Sequence, residues 1–529
     1  MRGSGPLSLE TEIVLARLKE FFHEESNWSR KLWDAGTVMS LRELHDAVHW
    51  SDRAVLSSSA VKWLARDVER LAGRDAGVGE RVTRQQLNQV LRSSLTNGSH
   101  SHRALARLTD VIETGYLTRW RDMAITKPVA PERIARAIGS HLLDRGFSTL
   151  FLLTWVKSMH KQVLNTADVA EAARMLTEIE EKEFEILIPV ERVKDPENNL
   201  DNDPAWRNAP SAARWMKANR IHDTSRQGGA LVYKVKALDP FAAAEMASQF
   251  VERIRARLAY SRRHAQLVTI GHVWVAGDAV QHSLDRPGRG AHILSLSTAK
   301  RLFDVRDRAE LNNALELASP LTNGAPGPAV SGGWSAIEGL LLSPTDTGEH
   351  GGRGVTAADR MAALIACSWP RSELTTLSWS HKPDTSDRLA AELALARTNR
   401  DRSLAVSEAI RSGRNLHLRE MKTRAALSRM RQLHDHPRQT MGDIEAHMVT
   451  AMRRFYRHRN LLMHGAATTV QTLPMALRTA APLIGAGLDR IAHASLTQDT
   501  DAMTLATHAR LSLDLLSSSE AGQLVDLLE

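Results

Sequence analysis

Apolar positions recur at helical spacing through roughly the first 180 residues. Ile13, Leu15, Leu18, Phe21 and Phe22 mark one amphipathic stretch, and Val55, Val61, Leu64, Val68 and Leu71 mark another. Pro131 stands where a helix's first turn tolerates proline, and Ile134 and Ile138 repeat the apolar face behind it. No repeat period is evident that would make this half a solenoid. Near residue 183 the period shortens to two. Phe184 to Val190 alternates as a strand does, a polar, turn-rich linker runs from Asp195 to Pro210, and Ala230 to Ala237 reads as a second strand with lysines on one face. Asp239 and Pro240 open a helix through Ala243, Met246, Phe250, Ile254 and Leu258. Leu267–Ile270 and Val273–Val275 form a third strand region, and His292–Leu296 reads as a fourth. From about residue 300 the helical period returns and holds to the end, interrupted by the glycine-rich connector Gly348–Gly354. The expected fold is mainly α: a helical N-terminal domain over 1–182, a small central α/β module over 183–300, and a C-terminal helical domain over 301–529.

Length and charge refine this picture. A chain of 529 residues is too long for one ordinary core. Its formal net charge is +8, carried mostly by arginine, whose planar fork suits phosphate and adds weight to a nucleic-acid partner. The single cysteine, Cys367, excludes an internal disulfide framework and any cysteine-based zinc cluster, and reads as a small core residue. The first twelve residues lack an apolar run of signal-peptide length, and runs such as Leu150–Val156 are far shorter than a membrane span. A cytoplasmic protein with no membrane partner is the expectation.

Chemistry concentrates in one C-terminal helix, expected from about Met441 to His464, with Thr440 or Asp443 as its cap and Gly465 ending it. On a helical wheel one face holds Met448, Met452, Phe455, Leu462 and Met463, while Arg453, Arg457, Asn460 and His464 share another. Arg459 falls in the middle of the apolar face, where a permanent charge needs an anionic partner. Glu338, in a helix beginning near Trp334, is the candidate. His464 sits in the last turn, able to exchange a proton near neutral pH. Arg459 and His464 are about 140° apart on an ideal wheel, so only the long arginine stem would let their tips meet. Arginine–histidine pairs of similar spacing also occur at Arg286–His292, Arg411–His417, Arg431–His436 and Arg453–His458, so spacing carries no information here.

Context separates one pair from the others. The run Arg459-Asn460-Leu461-Leu462-Met463-His464-Gly465, together with Glu338 in a Trp-x3-Glu-x-Leu-Leu setting, resembles the HEPN superfamily over about residues 330–495. It is similar in particular to the larger HEPN proteins of bacterial antiviral and abortive-infection systems. The resemblance implies a HEPN-type helical bundle and a toxin-like, metal-independent RNA endonuclease (a hydrolase) that needs no cofactor. His464 would act as general acid or base, Arg459 would stabilise charge on the phosphate, and Asn460 would orient one or the other. The substrate's own 2′-hydroxyl would attack. It further implies a homodimer that lines one cleft with two motifs, and a phage-derived or partner-protein trigger. Arg453 and Arg457 would hold flanking phosphates, or else be solvated. The rival expectation is a non-catalytic HEPN protein that binds RNA or serves as a dimerisation scaffold, with Arg459 in a structural ion pair and His464 at a helix end. The arginine-rich segment Arg397–Arg431 reads either as a surface that tracks an RNA backbone or as a helical face partnered by Glu392, Glu408 and Glu420. Ser99-His100-Ser101-His102 reads as a polar turn rather than a metal site.

Overall fold

The computed structural model describes residues 7–159, 162–197, 199–223, 225–261, 264–346, 352–465, 470–516 and 524–529. Twenty-one α-helices and six strands lie among them, which makes the protein mainly α with a small α/β module. Most of the glycine-rich connector, residues 348–351, lies outside the described residues.

The strands form one antiparallel sheet: β1 (Lys182–Lys194), β2 (Trp206–Asn208), β3 (Gly229–Ala237), β4 (Gln266–Thr269), β5 (His272–Val275) and β6 (His282–Ser283), in the order β2-β3-β1-β5-β6, with β4 also paired to β1. Period-two alternation explains its burial on both faces. Phe184, Ile186, Ile188 and Val190 of β1 pack with Ala243, Ala247 and Val251 of the Pro240–Leu258 helix. Leu187 turns the other way, onto Ala212 and Met216 of the Ala209–Ala218 helix. Asp239 caps the Pro240–Leu258 helix as expected, its carboxylate accepting from the Ala242 N–H at 2.8 Å.

Two details depart from the sequence pattern. The expected linker holds β2 and a helical turn, Leu200–Asn202. The expected fourth strand at His292–Leu296 is not a strand, because Leu294–Thr298 is helical. There the Ser295 N–H donates to Asp489 Oδ1 at 2.7 Å, so a carboxylate from another helix takes the donor that a strand partner would need.

By packing, the chain divides into two units: residues 1–141, 156–173 and 289–529 in one, and 142–155 with 174–288 in the other. The helices expected as separate N- and C-terminal domains thus share a unit. At its centre lies the Arg353–Ser380 helix, with Ala358, Met361, Ala362, Leu364 and Ile365 all buried. A helix apolar on nearly every side has to be enclosed by others. Gly354 permits a close approach, because a Cβ there would fall 2.3 Å from the ring of Tyr456 on the Pro437–His464 helix.

Candidate active site

The helix that carries the motif spans Pro437–His464, one turn longer at its start than the expected Met441. Neither Thr440 nor Asp443 caps it. His436 is the N-cap and Pro437 occupies the first turn, where its missing N–H costs nothing. Gly465 does end the helix, with its N–H bonded to the Leu461 carbonyl at 3.0 Å. A Cβ at Gly465 would lie 2.7 Å from the Leu461 carbonyl oxygen and 3.2 Å from the Trp50 ring of the Thr37–Asp52 helix, so glycine suits this close helix end.

Four of the residues singled out in the sequence converge here. Arg459 Nη1 donates to Asn460 Oδ1 at 3.1 Å and faces His464 Nε2 at 3.3 Å, while Nη2 donates to Glu338 Oε2 at 3.4 Å. A guanidinium can only donate, so in this contact Nε2 of His464 is the acceptor. The wheel separation is bridged by the arginine stem. Glu338 is placed by its own helix, Pro326–Leu341, where Trp334 one turn earlier is fully buried and lies 4.8 Å from the Tyr456 ring, centroid to centroid. That anchor directs the next turn, and Glu338 with it, towards Arg459.

The expected burial of Arg459 is not observed. Its side chain is 24% exposed and that of Glu338 28%, His464 is exposed, and Met463 of the expected apolar face is 58% exposed. The cluster opens to solvent, as a site for a large substrate has to.

Arg453 and Arg457 are not brought to this cluster. Arg453 makes a two-pronged pair with Asp359, at 2.8 and 2.6 Å, with its guanidinium over Trp63. Arg457, expected on the face of His464, is buried at 4% exposure and donates to Glu43 Oε1 at 2.8 Å. The physical reason is a buried carboxylate from the Thr37–Asp52 helix. Glu43 also accepts from Arg454 Nε at 2.8 Å, and although burial pushes its carboxyl up, the two arginines win and hold it well below the usual carboxylate range. Beside them, burial lowers the His458 imidazole to about 4 against the opposing pull of Glu43, which leaves it neutral. Its Nδ1–H donates to the Arg454 carbonyl at 3.0 Å and its Nε2 accepts from Thr472 Oγ1 at 2.8 Å. The alternative pair Arg453–His458 therefore points apart.

The Arg397–Arg431 segment is largely occupied by partners. Glu392 accepts from Arg414 at 3.1 Å, Lys422 pairs with Glu420 at 2.7 Å, and Arg429 reaches the buried Glu373 at 2.8 Å. The expected polar turn at Ser99–His102 is instead the start of the His100–Glu113 helix, with Ser99 as its N-cap and His102 buried at 6% exposure, its Nδ1 accepting from the Gly98 N–H at 3.1 Å.

Glu43, Trp50 and His458 carry no sequence signal that ties them to this end of the fold. The spacing of Arg454, Arg457 and His458 along one helical stripe was the only hint of a buried polar face. Among the described residues no helix is long and apolar enough to cross a membrane. Comparison of the chain with protein families, with curated proteins and with solved structures returned no match.

Proposed function

We propose that this protein is a metal-independent endoribonuclease of the HEPN type whose site is Arg459, Asn460 and His464, with Glu338 supporting Arg459. The observation that carries this reading is the meeting of Arg459 with both Asn460 and His464 at a solvent-open helix end, at 3.1 and 3.3 Å. An RNA phosphate would draw the guanidinium off His464, since a charged acceptor binds it more strongly than a neutral imidazole. Nε2 would then be free to take the proton of the 2′-hydroxyl as O2′ bonds to phosphorus. The P–O5′ bond breaks, and the O5′ leaving group takes up a proton. Arg459 would stabilise the charge that grows on the non-bridging oxygens, and Glu338 keeps it aimed outward. DNA lacks the attacking group, so RNA is the substrate. A second copy would provide the partner for the second proton transfer, in line with the dimer implied by the resemblance. A role as an antiviral, abortive-infection effector in the cytoplasm, released by a phage-derived or partner-protein trigger, rests on that resemblance alone.

A second reading is favoured by the Arg459–Glu338 pair, which satisfies the arginine without any ligand: a non-catalytic HEPN protein that binds RNA or dimerises. Cleavage of a mixed RNA pool by the natural chain and by His464→Ala, each with and without EDTA, separates the two. Cleavage that survives EDTA and is lost in the variant is the expected result. Cleavage unchanged by the substitution would overturn the site.

A further inference from the structure

A cavity of about 1000 Å³ lies within the larger unit, away from the candidate nuclease site, between the Leu9–Phe22 helix, the end of the Arg353–Ser380 helix and the start of the Met421–Asp435 helix. That volume is at the upper end of small-ligand sites. Most of the residues that line it are polar or charged, with Ala16, Trp379 and Met421 the apolar ones.

Its features suit a planar ring joined to a polyanion. Trp379 is 61% exposed, with the Arg402 guanidinium 3.7 Å from its ring centroid on one face. Arg402 is pinned there by the Leu393 carbonyl at 2.9 Å and by Ser378, and Trp379 lines the cavity. Lys19, Lys382 and Lys422 gather around the single carboxylate of Glu420, which Lys422 binds at 2.7 Å. Glu420 also stands at the N-cap of the Met421–Asp435 helix but makes no side-chain cap bond, and the helix start lines the cavity with Met421, Lys422 and Thr423, the Thr423 N–H being taken by the Glu420 carbonyl at 3.1 Å. On the opposite wall stands Arg30, 3% exposed, held by Glu20 and Glu373. Its remaining nitrogen, Nη2, is buried without a hydrogen-bond partner among the described residues. Glu12, Glu20 and Glu25 also line the cavity, Glu20 as the partner of Arg30.

We propose that this cavity binds a free nucleoside polyphosphate, with the base stacked on Trp379 and the phosphates among Lys19, Lys382 and the start of the Met421–Asp435 helix. The proposal is independent of the nuclease reading, because no residue in it belongs to the Arg459–His464 cluster.

Calorimetric titration of the full chain tests it, with ATP, adenosine and inorganic tripolyphosphate as probes. ATP is expected to bind saturably at one site per chain, at least tenfold more tightly than either fragment. Trp379→Ala and Lys382→Ala, both at exposed positions, are each expected to weaken ATP about tenfold while leaving the melting temperature unchanged. Three outcomes would overturn the proposal. These are no saturable binding of ATP, affinities unaffected by both substitutions, and tripolyphosphate or a 5′-phosphorylated RNA oligonucleotide binding in place of the nucleotide.

Discussion

At the scale of single residues, Arg459 and Arg457 show how location changes the meaning of one side chain. Both are charged, both pair with a glutamate, and two positions separate them. Arg459 is a quarter exposed and pairs at 3.4 Å, where water screens the interaction to about 0–1 kcal/mol. Arg459→Ala is therefore expected to abolish RNA cleavage and to shift the melting temperature by no more than a degree or two. A large loss of stability would instead make the arginine structural. His458 gives the pH dependence. Its imidazole is held neutral by burial at about 4, below its unfolded value near 6.5. A depressed histidine contributes stability above the unfolded value and loses it as pH falls towards the folded one. The contribution is on the order of 3 kcal/mol at pH 7, from about 1.4 kcal/mol for each tenfold change in proton affinity. His102, His434 and His493 are pushed the same way by burial. The melting temperature is expected to fall steadily between pH 6.5 and 4, and a flat profile over that window would contradict the buried neutral ring.

At the scale of elements, the Pro437–His464 helix is held from both sides. Trp334 and Tyr456 lock it to the Pro326–Leu341 helix and so set Glu338 against Arg459. Glu43 locks it to the Thr37–Asp52 helix, where a single carboxylate serves Arg454 and Arg457, both nearly fully buried. Removing one partner of a buried pair leaves an uncompensated charge and costs about 3–5 kcal/mol, and here two arginines would lose their bonds to Glu43 at once. Glu43→Ala is accordingly expected to destabilise the protein severely. Asp359→Ala removes a carboxylate that is 42% exposed and is expected to cost under about 1 kcal/mol. Thermal unfolding of the two variants side by side measures the difference, and equal losses would refute the assignment of Glu43 as the buried anchor.

At the scale of the whole molecule, the first helices complete the larger unit rather than decorate it. Glu373 of the central helix is fully buried and is satisfied by Arg429 at 2.8 Å from its own half of the chain. It also takes Arg30 at 3.2 Å and the Ser29 hydroxyl at 2.7 Å from the N-terminal half. Arg17 adds Glu132 at 2.7 Å to the same buried network. A chain of residues 301–529 alone would expose this network and take Glu43 away from Arg454 and Arg457. It is expected to lack a cooperative thermal transition by circular dichroism, and native-like helicity with sharp unfolding would show that this segment stands alone.

Much of this protein was legible in its sequence because the determining forces are local. Period-two alternation located β1 and β3, Asp239 announced a cap, and the Arg-Asn-x3-His run and the Trp-x3-Glu spacing named four residues that do meet. The strand misread at His292–Leu296 and the role assigned to Arg457 share one cause. Each was decided by a carboxylate distant in sequence, Asp489 in one case and Glu43 in the other. Helical spacing records which side chains share a face, but not what that face meets. The exposure of Arg459, the burial of Arg457 and the cavity walled by Lys19, Lys382 and Trp379 all depend on which helices pack together. That choice follows from summed burial over hundreds of residues, and only the tertiary structure decides it.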